Sequence, residues 1–113
     1  MADIGSGTGR IVNMLLDAGA ALVLAVEPSD AMEVLKQNTA SRADRITYLR
    51  GSGETLPANL KLDLVVSIGV LHHVPNPDPI VRAAYDALAS GGFLVIWLYG
   101  RDGNEAYLRH AIG

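Results

Sequence analysis

Asp3-Ile4-Gly5-Ser6-Gly7-Thr8-Gly9-Arg10 decides how the rest of the chain is read. It reads as the end of a strand that turns through three alternate glycines into a helix. Glycine lets the backbone take the left-handed conformations of such a turn and leaves room for a nucleotide-like ligand at the helix start. A dinucleotide fingerprint of the dehydrogenase type needs G-x-G-x-x-G. Here the spacing is G-x-G-x-G and Arg10 follows, which counts against a nicotinamide cofactor. No Lys-Ser or Lys-Thr follows the glycines, which excludes a P-loop. Taken alone, the turn could also be a tight strand-to-helix connection with no ligand.

Outward from this turn, strand-like and helix-like segments alternate, the pattern of βαβ units in a parallel sheet covered by helices on both faces. Ile11, Met14, Leu15 and Ala18 recur at helical spacing over Arg10 to Asp17, and Gly19 is placed to stop that helix. Ala21 to Val26 is a short, unalternated apolar run, as expected for a strand buried on both faces. Ser29 can cap a second helix that fades near Ala40. Ile46 to Leu49 and Leu62 to Ile68 read as the third and fourth strands. Asp78-Pro79 starts a helix that Ser90-Gly91-Gly92 ends. Phe93 to Tyr99 is the fifth strand, and Asn104 to Ile112 reads as a last short helix.

The 113 residues suit a single domain, 1–113, with a real core. The longest plausible apolar stretch, Ala18 to Val26, falls far short of the ~20 residues of a membrane span. With no signal-peptide pattern, a soluble, cytoplasmic protein is expected. The chain has no cysteine, so disulfides, thiolate nucleophiles and Cys-based metal sites are excluded. Its net charge is −3, and its nine Lys and Arg residues are scattered rather than gathered in a stripe. The electrostatic footprint of a nucleic-acid binder is therefore absent, and neither a nucleic-acid nor a membrane partner is expected.

Glu27 stands at the end of the second strand, 20 residues beyond Gly7, where an acidic side chain can accept hydrogen bonds from ribose hydroxyls. Four further motifs follow in order: Val26-Glu27-Pro28-Ser29-Asp30-Ala31-Met32; Gly51-Ser52-Gly53-Glu54-Thr55-Leu56-Pro57; Leu62 to Ser67 with Leu71-His72-His73-Val74; and Leu88-Ala89-Ser90-Gly91-Gly92-Phe93-Leu94. With Asp3 to Gly9, they resemble the class I S-adenosylmethionine-dependent methyltransferases in order and spacing, closest to the group that methylates small molecules. The resemblance implies a Rossmann-like three-layer α/β/α fold with about five parallel strands in the order 3-2-1-4-5.

The resemblance also assigns the site. Gly5, Gly7 and Gly9 would admit the methionyl part and ribose of S-adenosyl-L-methionine, with Asp3 near its amino group and Glu27 on the ribose diol. Met32 would pack on an adenine face, or else serve as an ordinary core methionine. Many relatives carry an aspartate near the adenine amine where this chain has Ser52. Gly53 and Glu54 would cover that contact through backbone donors or the Glu54 side chain. The product would be S-adenosyl-L-homocysteine.

Ligands in open α/β sheets sit beyond the carboxyl ends of the strands, which places Ile68 and the following His72 and His73 near the transferable methyl group. Either histidine could be the base for an acceptor that must lose a proton. The same pair fits a structural turn equally well, and adjacent histidines without a spaced carboxylate make no metal site.

Relatives of this type usually have helices before the first strand and two strands after the fifth. Neither is recognisable here, which leads to the expectation of a chain truncated at both ends. It would leave the apolar fifth strand as a free edge, inviting a homodimer through it. The competing reading is a non-catalytic module that keeps the fold and the cofactor.

Overall fold

The computed structural model describes residues 1–68, 76–100 and 103–110. Its elements run β1 (Ala2–Ile4), α1 (Arg10–Asp17), β2 (Val23–Val26), α2 (Ala31–Asn38), a 3-10 stretch (Ala40–Arg45), β3 (Ile46–Leu49), a 3-10 turn (Gly53–Thr55), β4 (Leu62–Ile68), α3 (Asp78–Ala87), β5 (Leu88–Gly100) and β6 (Gly103–His110). The strands form one sheet in the order β3-β2-β1-β4-β5-β6. The first five are parallel, in the expected order 3-2-1-4-5.

The helices divide between the two faces according to their apolar stripes. Val12, Leu15 and Leu16 of α1 and Met32 and Leu35 of α2 bury against Val23, Ala25, Ile46 and Val66. On the opposite face Ile80, Ala84 and Ala87 of α3 pack on Ala2, Ile4, Val65, Leu94 and Ile96. Strand β1 is short but central: its register places Asp3 between Ala25 of β2 and Val66 of β4. Both neighbours exclude water from whatever side chain stands at that position.

Helix ends follow local chemistry. Gly19, at φ 109°, turns the chain after α1, and its N–H donates to the Leu16 carbonyl at 3.1 Å. In α2, Asp30 takes the N-cap position without a side-chain capping bond, while the Ser29 hydroxyl accepts the Ala31 N–H at 3.1 Å. Likewise Pro77, not Asp78, precedes α3, which moves Asp78-Pro79 into its first turn. Helix α3 ends at Ala87, and regular β4–β5 pairing resumes at Leu64↔Phe93 after a shift of register that takes up Ser90-Gly91-Gly92.

The segment expected to be a final helix is instead β6, antiparallel to β5 from Phe93↔His110 to Gly100↔Gly103. An apolar strand with a free row of N–H and C=O groups is a strong template for pairing, and that tertiary contact outweighs a weak local helix preference. Strand β5 is therefore not an edge, and the homodimer expected through it has no free strand there. One strand beyond the fifth is present where none was expected.

Candidate functional site

The glycine turn closes over the carboxyl ends of β1 and β2. The N–H groups of Gly5 and Ser6 both donate to the Val26 carbonyl, at 2.7 and 2.9 Å, so the turn folds back on the second strand. Gly5, Gly7 and Gly9 have φ of 76°, 56° and 101°. At Gly9 a Cβ would lie 2.9 Å from Leu35 Cδ1 and 3.2 Å from Thr39 Cγ2, so both conformation and space demand glycine. At Gly7 a Cβ would meet nothing within 4 Å, which leaves that side of the turn open to a ligand.

Glu27 lies beneath this turn, 6% exposed. Its Oε1 accepts the Gly7 N–H at 2.8 Å. Its Oε2 accepts the Ser29 N–H at 2.9 Å and the Ser29 hydroxyl at 2.6 Å. Burial alone would raise its pKa, but the Ser29 hydroxyl, the Ser29 N–H and the Gly7 N–H together outweigh burial and hold the carboxyl below its ordinary value. A carboxylate has about four acceptor positions. Three are taken, so Oε1 keeps one for a ligand hydroxyl.

Asp3 is the opposite case. It is fully buried, and neither carboxylate oxygen has a hydrogen-bond partner. Burial pushes its pKa up to about 7; the Ser6 hydroxyl works against that shift and the nearby Glu27 charge adds to it. The Ser6 hydroxyl's own hydrogen bond goes to the Asp3 main-chain carbonyl at 2.9 Å, so it relieves the side chain little.

The remaining candidates divide. Ser52 and Glu54 sit together in the turn after β3, with the Ser52 hydroxyl donating to Glu54 Oε1 at 3.0 Å. Gly53 is buried where a Cβ would come within 2.7 Å of Ile4 and 2.6 Å of Ile80. It brings that turn down onto the end of β1. Ile68 ends β4 and packs partly on the core beneath α1 and α2. Met32 is 2% exposed within that same core, which leaves almost no surface for an adenine ring and matches its core reading. His72 and His73 lie outside the described residues. Ser29 was expected only as a helix cap, whereas it also orients Glu27; its place two residues on, across Pro28, was the available signal.

Residues 2–96 match the methyltransferase domain family. This chain belongs to that family. An uncharacterized methyltransferase of Mycobacteroides abscessus is 34% identical over 118 residues, covering 98% of this chain and 45% of that protein. The tRNA U34 carboxymethyltransferase of Alteromonas mediterranea is 29% identical over 110 residues, covering 91% of this chain and 33% of that protein. Among solved structures, phosphoethanolamine N-methyltransferase 2 of Haemonchus contortus, in complex with phosphomonomethylethanolamine and S-adenosylhomocysteine, superposes with a TM-score of 0.79 at 27% identity. That superposition covers 88% of this chain and 24% of the Haemonchus chain. The chain thus spans less than half the length of these relatives. S-adenosyl-L-methionine is the cofactor of the family to which the resemblance pointed, and the Haemonchus enzyme has also been solved in complex with it.

Proposed function

We propose that the chain is the S-adenosyl-L-methionine-binding core of a methyltransferase acting on a small-molecule acceptor. The observation that carries the cofactor reading is Asp3: a fully buried carboxylate with both oxygens unpartnered, at the foot of an open glycine turn. Such a group is costly in isolation and suits a cationic ligand such as the cofactor's amino group. Glu27 supplies the second anchor, its one open acceptor position matching a ribose hydroxyl. Ser52 and Glu54 lie at the adjoining turn for the base. When bound, S-adenosyl-L-methionine supplies a methyl group on a sulfonium, so the chain's task is to hold and align rather than to activate.

The small-molecule reading rests on how the basic residues are used. Arg42 bonds Asp17 at 2.5 Å and the Asn13 carbonyl at 3.0 Å. Arg45 bonds the Ala20 carbonyl at 2.5 Å, and Arg50 bonds Asp30 at 2.5 Å. These arginines serve the fold and do not gather into a phosphate-binding stripe. Among the described residues no helix is long and apolar enough to cross a membrane.

Titration calorimetry with S-adenosyl-L-homocysteine tests the cofactor reading; wild-type chain that releases no binding heat at millimolar ligand would sink it. Transfer of labelled methyl from the cofactor into a small-molecule extract, compared with total RNA, tests the acceptor class. Label appearing in RNA alone would overturn the small-molecule reading.

A further inference from the structure

Helix α2 touches the site at both ends. Its start carries Ser29, which orients Glu27. Its last residue, Asn38, reaches the glycine turn directly, the Nδ2 amide donating to the Thr8 carbonyl at 2.8 Å. The Asn38 main-chain carbonyl in turn accepts from Asn13 Nδ2 at 3.3 Å, tying the same point to α1. Leu35 and Thr39 pack closely against Gly9: a Cβ there would lie 2.9 Å from Leu35 Cδ1 and press tightly on Thr39 Cγ2 at 3.2 Å. Thr39 is itself fixed, its hydroxyl 2.7 Å from the Leu35 carbonyl and 2.6 Å from the Tyr48 hydroxyl on β3.

The consequence is a difference in how the turn's two halves are held. Gly5 and Ser6 are bonded to β2 and Gly7 to Glu27, all near the strand ends. Beyond Gly7 the turn has left the sheet: the Thr8–Gly9 peptide is held within the turn by its Gly9 N–H, which donates to the Ser6 carbonyl at 3.0 Å, and from outside it by Asn38 at the Thr8 carbonyl. A peptide whose carbonyl is held by a fixed donor cannot rotate freely, so its plane and those of its neighbours are set before any ligand arrives. Asn is suited to this: it is short, and its amide donates while its position at the helix end leaves the backbone carbonyl free to accept.

We infer that Asn38 is a positioning residue for the cofactor, presetting the Thr8–Gly9 half of the glycine turn, and that this half serves the methionyl end while Glu27, bonded to Gly7, serves the ribose. The inference rests on the cofactor reading above, and goes beyond it by assigning a role to a residue 30 positions from the turn. It makes a specific claim about ligand parts. Loss of the Asn38 donor penalises a ligand that carries the amino-acid tail and spares one that lacks it, because Glu27 and the Ser52–Glu54 turn do not depend on Asn38.

The test compares S-adenosyl-L-homocysteine with methylthioadenosine, which keeps the nucleoside and lacks the amino-acid tail, on wild type, Asn38→Ala and Asn38→Asp. The aspartate variant keeps the side-chain shape while replacing the donor by an acceptor facing the Thr8 carbonyl, and so guards against simple loss of packing. Both variants are expected to bind S-adenosyl-L-homocysteine roughly five- to tenfold more weakly, the scale of one hydrogen bond, with methylthioadenosine changed less than about twofold. Unchanged homocysteine affinity would overturn the inference, as would equal weakening of both ligands, the signature of a purely structural role. A wild-type chain that binds neither ligand would overturn the cofactor reading itself, and the role of Asn38 with it.

Discussion

Two carboxylates lie under the same turn and face opposite fates. Glu27 has three hydrogen-bond donors on its two oxygens and a pKa held below its ordinary value. Asp3, more deeply buried, has none, and its pKa is pushed up to about 7. The first already does structural work, pinning Gly7 to the end of β2. The second costs stability whenever it is ionised without a partner, a cost that a cationic ligand, as proposed above, would relieve. Stability surrendered at one group and recovered on binding is the usual relation between a folded scaffold and its site. The pair therefore separates a carboxylate whose hydrogen bonds build the loop from one that no group of the described fold partners.

The strongest way to break this contrast is to remove the Asp3 charge and follow stability with pH. Asp3 ionises near 3.8 when unfolded and about 7 when folded, so between these values the native state keeps a proton that the unfolded chain has lost. Native stability from this group therefore falls as pH rises through that window and levels off above it. Asp3→Asn should gain on wild type by on the order of 3 kcal/mol between pH 4 and pH 8, read from denaturant unfolding. A gap that stays constant with pH would show that Asp3 is not strained. Glu27 has the opposite sign: its contribution is present above the unfolded value and is lost as pH falls through the lowered folded value.

Next in size, Glu27→Ala removes an acceptor of three hydrogen bonds and should weaken S-adenosyl-L-homocysteine binding by roughly 30-fold or more in calorimetry. Affinity within twofold of wild type would mean that the ribose is held elsewhere. In the same assay, wild-type affinity should rise several-fold from pH 6 to pH 8 as Asp3 ionises towards the ligand's ammonium group, and Asp3→Asn should flatten that profile. Gly9→Ala forces a left-handed backbone and a close approach to Leu35, and should destabilise the fold by about 1–2 kcal/mol. Smallest, Tyr48→Phe takes away the partner of the Thr39 hydroxyl at a cost of about 1 kcal/mol, measurable as a shift in the unfolding midpoint.

Much of this was legible in the residues because the deciding signals are local. Helix α1 and strands β3 and β4 lie where apolar spacing placed them, and the Gly5, Gly7 and Gly9 conformations follow from a turn that has no other way to close. Strand β2 begins two residues later than its apolar run: the exposed Leu22 stays outside the ladder, its carbonyl accepting a hydrogen bond from the Met1 terminal amine at 3.1 Å. The last strand was misread as a helix because its conformation is set by β5. Asp102-Gly103 was the one local hint of a hairpin.

The sequence by itself determined that a glycine turn, an acidic strand end and a parallel α/β sheet occur together, since each depends on neighbours a few residues away or on the period of apolar side chains. Only the tertiary structure decided that Asp3 is buried without a partner while Glu27 accepts three hydrogen bonds, that Met32 belongs to the core, and that Asn38 reaches Thr8. Those outcomes depend on which backbone N–H and side-chain groups converge from separate elements, and no spacing along one chain specifies that convergence.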